Sequence, residues 1–176
     1  MKKLLPGLLV IIATLTAAAR ADDDPTGLYL AAAAGKAMVE DYSTNDLCYD
    51  LFLGWRPFRH FALEAGYINL GLHENPSGPD PVLRIDGWGG AVLGLLPLDD
   101  RTTLLARFGL HKLDTEHGFE AYEVKLASIY GVGAEWSTEG PLALRLELQG
   151  IYGIHDRHAN GTYQAASLTV GALYRF

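Results

Sequence analysis

The chain has a single cysteine, Cys48, among its 176 residues, so no intramolecular disulfide can staple it in any compartment. It also lacks a membrane helix, which needs roughly 18 or more consecutive apolar residues. The nearest approach, Leu4 to Leu15, is too short. Basic residues are in deficit, 14 Lys and Arg against 21 Asp and Glu, for a formal charge of −7. Nucleic acid, whose phosphates are bound by basic surfaces, is therefore not an expected partner.

What is present begins at the N-terminus. Lys2 and Lys3 precede the apolar run, and Ala19-Arg20-Ala21 supplies the small-x-small site of a signal-peptidase cut. A signal peptide over residues 1–21 follows, with one domain over 22–176 that starts at Asp22. Three of the 14 basic residues leave with the signal, so 11 remain against 21 acidic, a formal charge of −10. Cys48 is too far from the signal to carry a lipid. An exported chain without a membrane helix can span a membrane only as a closed barrel, because lipid cannot satisfy an open sheet edge.

Eight strands with turn chemistry between them are expected: 28–36, 47–55, 61–70, 84–96, 102–112, 122–136, 142–153 and 164–176. Short connections (56–60, 97–101, 137–141) alternate with longer ones (36–46, 72–83, 113–121, 154–163), as in a barrel with periplasmic turns and exterior loops. In the seventh strand Leu142, Leu144, Leu146 and Leu148 share one face and Arg145, Glu147 and Gln149 the other. The second strand sets Leu47, Tyr49, Leu51, Leu53 and Trp55 against Cys48, Asp50, Phe52 and Gly54. The last alternates to the terminal Phe176. A soluble sandwich also alternates; the long charged residues on the polar faces and the aromatics near strand ends favour a membrane barrel. Trp55, Phe61, Trp136 and Phe176 form the expected periplasmic girdle, and Tyr49, Tyr67, Tyr122 and Tyr152 the outer one.

The run Phe52-Leu53-Gly54-Trp55-Arg56-Pro57, leading into Leu63-Glu64-Ala65-Gly66-Tyr67, resembles the transmembrane domain of outer-membrane protein A. The resemblance extends through Leu98-Asp99-Asp100, Ala106-Arg107-Phe108-Gly109, Gly131-Val132-Gly133-Ala134-Glu135-Trp136, Leu144-Arg145-Leu146-Glu147 and Tyr174-Arg175-Phe176, covering essentially all of 22–176. It implies an all-β, eight-stranded antiparallel up-and-down transmembrane barrel with a solid polar interior. It also implies a structural, adhesive or surface-recognition role in the outer membrane of a Gram-negative bacterium.

An eight-stranded interior is just wide enough to be filled by side chains. Parity aims Asp50, Glu64, Arg84, Asp86, Arg107, Lys125, Glu135, Arg145 and Glu147 inward, with Gly54, Gly66, Gly90, Gly109, Gly131 and Gly133 making room. Glu64 and Arg145 are expected at one level on opposite walls. The resemblance implies an interior charge network of Glu64, Arg107, Glu135 and Arg145, in which the first acid can exchange partners with a fourth-strand lysine. The position matching that lysine is Val92, so the exchange is not carried over.

Lipid A deacylases and acyltransferases are also small barrels and need a serine, a histidine and often an acid within hydrogen-bond reach. Ser128, the one mid-strand serine on the lipid face, has Phe108, Leu110, Leu148 and Gly150 as expected neighbours, and none is a base. Four histidines (His73, His117, His155, His158) fall in expected exterior loops beside Glu74, Asp80, Asp114, Glu116, Glu120 and Asp156, without a closed metal-ligand spacing. No catalytic residue, metal or cofactor is assigned. The expected protein is a non-catalytic barrel with a structural or surface-interaction role. Its expected partners are outer-membrane lipid, lipopolysaccharide, the barrel-assembly machinery through Phe176, and an unidentified surface ligand. The alternatives are a narrow low-conductance channel and a lipid A-modifying enzyme.

Overall fold

A computed structural model describes residues 26–40, 46–74, 82–117, 120–156 and 161–176. The expected signal peptide lies outside them. Eight strands, β1 (Gly27–Val39), β2 (Asp46–Phe58), β3 (Phe61–Glu74), β4 (Val82–Pro97), β5 (Thr102–His117), β6 (Glu120–Ser137), β7 (Leu142–Asp156) and β8 (Gly161–Arg175), form a closed barrel. Each pairs antiparallel with its sequence neighbours, and β1 with β8 closes the ring. The eight-stranded up-and-down barrel read from the sequence is the observed fold.

The alternation turns the barrel inside out relative to a soluble protein. Leu142, Leu144, Leu146 and Leu148 are exposed while Arg145, Glu147 and Gln149 are buried, and β2 repeats this with Leu47, Tyr49, Leu51, Leu53 and Trp55 outside. Apolar rows on all walls far exceed what a water-facing surface carries, but they suit lipid.

Register fixes the geometry. Following paired residues from Leu30 through Leu53, Ala65, Gly90, Leu110, Ser128, Tyr152 and Gln164 returns to β1 at Glu40, ten residues further on. That stagger requires strands tilted by about 40° and leaves a lumen that side chains can fill. The chain enters β1 and leaves β8 at the end that carries the three short connections (59–60, 98–101, 138–141), here the turn end. The opposite, loop end carries the other connections.

Two glycines adjust parity near the loop end. Gly71 (φ 93°) and Gly153 (φ 91°) sit at register shifts, in a backbone region that costs other residues strain. Past them, His73 and Ile154 point inward and are fully buried. His73 is thus a strand residue whose ring nitrogen Nε2 lies 2.9 Å from the Leu70 carbonyl, not the exterior-loop residue expected. The strands also run further than hydropathy marked them, β5 to His117 and β6 from Glu120, leaving only 118–119 where a connection over 113–121 was expected. Beyond the lipid both faces meet water, so alternation fades while the backbone ladder continues.

The fourth strand corrects the interior. Ile85, Gly87, Ala91, Leu93 and Leu95 face the lumen, while Arg84, Gly90 and Val92 are exposed and Asp86 is half-buried on the outer side. Parity was expected to aim Arg84 and Asp86 inward, but the strand has the opposite phase, and near the loop end an outward charge meets headgroups or water and costs little. Val92 faces lipid, so the positions beside Glu64 are its pair Ala91 and the inward Leu93. Neither carries an amine to exchange with Glu64.

Candidate functional site: the interior charge network

The turn-end half of the lumen holds a layer of charge. Glu64 on β3 is the hub: it accepts hydrogen bonds from Tyr29 on β1 (2.6 Å), Arg107 Nη2 on β5 (2.6 Å) and Arg145 Nη1 on β7 (2.7 Å). Arg107 also binds Glu147 through Nε and, at 3.1 Å, through Nη2. Arg145 binds Glu135 on β6 through Nε (3.1 Å) and Nη2 (2.6 Å). Glu135 reaches Arg56 on β2 (3.8 Å) and Arg175 on β8 (3.5 Å). Glu64, Arg107, Glu135 and Arg145 therefore meet in one buried cluster, with Glu64 and Arg145 in direct contact across the lumen.

Such groups survive away from water only when each charge is paired and hydrogen-bonded. Here each carboxylate of the core has at least one arginine, and fork-shaped guanidinium groups serve two acids at once. Arg107 Nη1 has no hydrogen-bond partner. Its guanidinium carbon instead stands 4.6 Å from the Phe52 ring centroid, a cation–π contact that offsets part of that lack. Arg145 lies 5.8 Å from the ring of Tyr29.

The rings fit because glycine faces them. A Cβ on Gly54 would land in the Tyr29 ring, and one on Gly66 would meet Phe52 at 2.5 Å. Tyr29, Arg56 and Arg175 were missed by the sequence reading. Tyr29 had a signal, since outward Leu30 forces its neighbour inward; Arg56 follows outward Trp55 in the same way.

Toward the loop end, the polar layer closes with Gln149 donating to Asp50 at 3.3 Å. Above this pair the lumen becomes apolar: Ile68, Leu70, Ile85, Leu113, Ile129, Ile151 and Ile154 are buried from five walls, with Cys48 among them. A polar interior throughout, as the resemblance implied, is thus corrected to a charged layer under an apolar cap. The cap arises because β3 to β7 carry branched aliphatics at inward positions there. His111 stands at its base, fully buried, with neither ring nitrogen hydrogen-bonded. Its ring makes an edge contact with Phe52 at 6.3 Å. Between β1 and β8 a void of about 10 Å³ remains beside Asp50, Phe52, Arg145 and Thr169. That is room for about one water.

Outside the barrel, Ser128 pairs with Leu110 and Tyr152. Tyr152 replaces the expected Leu148 and Gly150 because the ladder here is in simple register up to the Gly153 shift. The side chains of Tyr122 and Lys125, and residues 157–160 with His158, lie outside the described residues. Trp55 and Trp136 are exposed near the turn end, and rings Tyr49, Tyr67 and Trp88 follow one another across β2 to β4 at centroid separations of 6.1 and 5.1 Å.

The family described as the OmpA-like transmembrane domain matches residues 21–176. No curated protein matches the chain. Among solved structures it is similar to Neisserial surface protein A, with a TM-score of 0.65 and 15% identity over 85% of this chain and 97% of that one. It is similar to Ail, the attachment invasion locus protein of Yersinia pestis, with a TM-score of 0.55 and 12% identity over 85% and 97%. The N-terminal barrel of Pseudomonas aeruginosa OprF gives a TM-score of 0.50 and 10% identity over 83% and 97%. At these identities the likeness is one of fold.

Proposed function

Since the chain belongs to the OmpA-like transmembrane domain family and so resides in the outer membrane of a Gram-negative bacterium, we propose that it is a non-catalytic barrel with a structural or surface-interaction role and a closed lumen. The observation that carries this reading is the stack inside the barrel. Among the described residues, an ion entering from the loop end meets buried Ile68, Ile85, Ile129 and Ile151 before it reaches a charged side chain, and then a layer in which Arg107 and Arg145 are already bound to carboxylates. Dewetted apolar constrictions and occupied charges both oppose conduction.

Two features weigh against a lipid A-modifying enzyme. Ser128 has Leu110 and Tyr152 beside it, and neither acts as a general base at neutral pH. His111, the buried histidine nearest in register, points into the lumen on the other side of the wall. The role at the cell surface then falls to the loop end. Ail, one of the similar structures, has been solved with the heparin analogue sucrose octasulfate. The acidic balance of this chain, 21 Asp and Glu against 14 Lys and Arg, does not favour a soluble sulfated polyanion of that kind at its loops.

The turn end faces the periplasm in this reading, and there the Phe176 amide donates to the Leu28 carbonyl at 3.0 Å. The testing experiment is single-channel recording of the folded protein in planar bilayers, paired with mass analysis of lipid A from expressing cells. A silent bilayer and unchanged lipid A are expected. Steady open currents in the wild type favour the narrow-channel alternative, and altered acylation favours the enzyme.

A further inference from the structure

Two lysines stand on the lipid-facing wall without a protein partner. Lys36 on β1 is exposed, its cross-strand neighbours are Leu47 and Leu168, and Met38 follows it on the same face; all three are exposed apolar side chains. Lys112 on β5 is exposed between Trp88 and Leu126, which are 65% and 64% accessible. Neither lysine makes an ion pair or side-chain hydrogen bond among the described residues. The remaining outward cation of the described strands, Arg84, lies 3.3 Å from Asp86.

The two lysines share one level. Stepping across the register from Ala32 through Leu51, Tyr67 and Trp88 reaches Lys112 on the opposite wall. Half of the stagger around the barrel raises that level by about five residues, to Ala37, adjacent to Lys36. Both therefore sit at the loop-end margin of the apolar wall, beside the row Tyr49, Tyr67 and Trp88. A lysine there can lay its stem on apolar neighbours and lift its ammonium toward the headgroups. Its cost is small at that depth compared with the midplane. An ammonium at this margin meets whatever anion the outer leaflet offers.

We propose that Lys36 and Lys112 form two separate sites for the phosphate groups of the outer-leaflet glycolipid, the lipid A portion of lipopolysaccharide. Charge complementarity carries the choice. In an outer leaflet built of lipid A, the anion at the level of the glycerol or sugar backbone is a phosphate on a glucosamine. At Lys112 the exposed Trp88 also offers a flat apolar face beside that sugar. Asp114, the next outward residue of β5, stands further from the bilayer centre, on the side where divalent cations bridge neighbouring phosphates. The proposal rests on the loop end facing the exterior and is independent of whether the lumen conducts.

The test is native mass spectrometry of the folded barrel released from detergent micelles doped with one defined lipid: bis-phosphorylated lipid A, the same lipid A stripped of both phosphates, or phosphatidylglycerol. Wild type, Lys36→Gln, Lys112→Gln, the double variant and the two Lys→Arg variants are compared, with the heat-dependent gel shift confirming that each is folded. Retention of up to two bis-phosphorylated lipid A molecules is expected, with about a fivefold loss for each glutamine, the factor corresponding to about 1 kcal/mol per cation at an anionic surface. Arginine should keep the retention. Undiminished binding by the double variant overturns the assignment of the lysines. Equal retention of dephosphorylated lipid A overturns the role of phosphate, and equal retention of phosphatidylglycerol reduces both positions to general interfacial anchors.

Discussion

Glu64→Gln keeps the shape of the hub side chain and removes its charge, leaving Arg107 and Arg145, 2.6 and 2.7 Å from its oxygens, with two carboxylates, Glu147 and Glu135, between them. Breaking a buried pair by deleting one member costs about 3–5 kcal/mol, because the surviving charge stays desolvated. An amide oxygen in the place of Oε1 can still accept from Tyr29 and Arg145, two of the three former hydrogen bonds, which places the loss near the lower end, about 3 kcal/mol. Arg145→Met strips a donor from both Glu64 and Glu135. Glu64 keeps Arg107 and Tyr29, and Glu135 keeps Arg56 and Arg175, so a loss of similar size is expected.

The double variant separates the network from a sum of contacts. With Glu64 neutral and Arg145 gone, Arg107 still faces Glu147 and Glu135 still faces Arg56 and Arg175, so each remaining charge has a partner. The combined loss should fall short of the sum of the single losses by about 2 kcal/mol, within the range seen for residues that share one network. Urea unfolding in phospholipid vesicles, followed through the fluorescence of the three tryptophans, gives all four stabilities. Strict additivity would falsify the coupling and, with it, the view that the layer acts as one unit.

Four further outcomes follow from the same geometry. Leu146→Arg, on the lipid face, should lower stability by about 2–4 kcal/mol, whereas Gln149→Lys, inward on the same strand and beside the Asp50 carboxylate, should leave folded yield closer to wild type; equal damage at both sites in a refolding gel contradicts the assignment of faces. His111→Leu removes two buried nitrogens that have no partner and should raise the urea midpoint, by an amount equivalent to about 1–3 kcal/mol; a lower midpoint implies a partner for the ring. At the turn end, Asp99 accepts the amides of Arg101 (2.8 Å) and Thr102 (2.6 Å), which hold its carboxyl below the usual carboxylate range. A depressed folded-state pKa means that its contribution is present above the unfolded value, about 4, and is lost as pH falls through the folded one; the stability gap between wild type and Asp99→Ala should therefore close only in acid, and a gap independent of pH denies the charge any part. A tag inserted at residue 77 should be labelled on intact cells and one at Asp100 should not, the reverse pattern showing that the barrel is inverted.

The strands were legible because a lipid-facing wall imposes a strict period of two. Leu142 to Leu148 and Leu47 to Trp55 alternate so regularly that face, and hence the inward set of β2 and β7, follows directly. Legibility failed where that pressure lapses. On β4 the glycines at 87, 89 and 90 interrupt the alternation around Trp88, so parity was counted with the wrong phase, and Arg84 and Asp86 point outward where the strand has left the hydrocarbon. His73 was hidden by the bulge at Gly71: a glycine within a strand signals a parity change, but its phase is settled only by the partner strand. The meeting of Glu64 with Arg145 depends on register across non-neighbouring strands. Parity and distance from the turn place both at one level, but the joint service of Arg107 to Glu64 and Glu147 needs the stagger of the whole barrel.

That stagger explains why the charges lie where they do. A lipid-facing wall attracts no particular neighbour, so slipping one strand by two residues preserves every inside and outside assignment and costs little on the outer surface. The penalty must come from within. Tyr29, Arg56, Glu64, Arg107, Glu135, Arg145, Glu147 and Arg175 come from β1, β2, β3, β5, β6, β7 and β8, and apart from Arg145–Glu135, which are ladder partners, their contacts cross the lumen between non-adjacent strands. A slip of two residues in any of these strands moves its charge by about 7 Å and strands its partners in a dry lumen. β4 contributes no charge to the layer, only small and apolar residues that leave room for the arginines and for the ring of His111. The apolar cap then removes water from above the layer, which strengthens each remaining interaction. A barrel locked in this way has its interior committed to holding the register, and the surface open to change without loss of the fold is the one at the loop end.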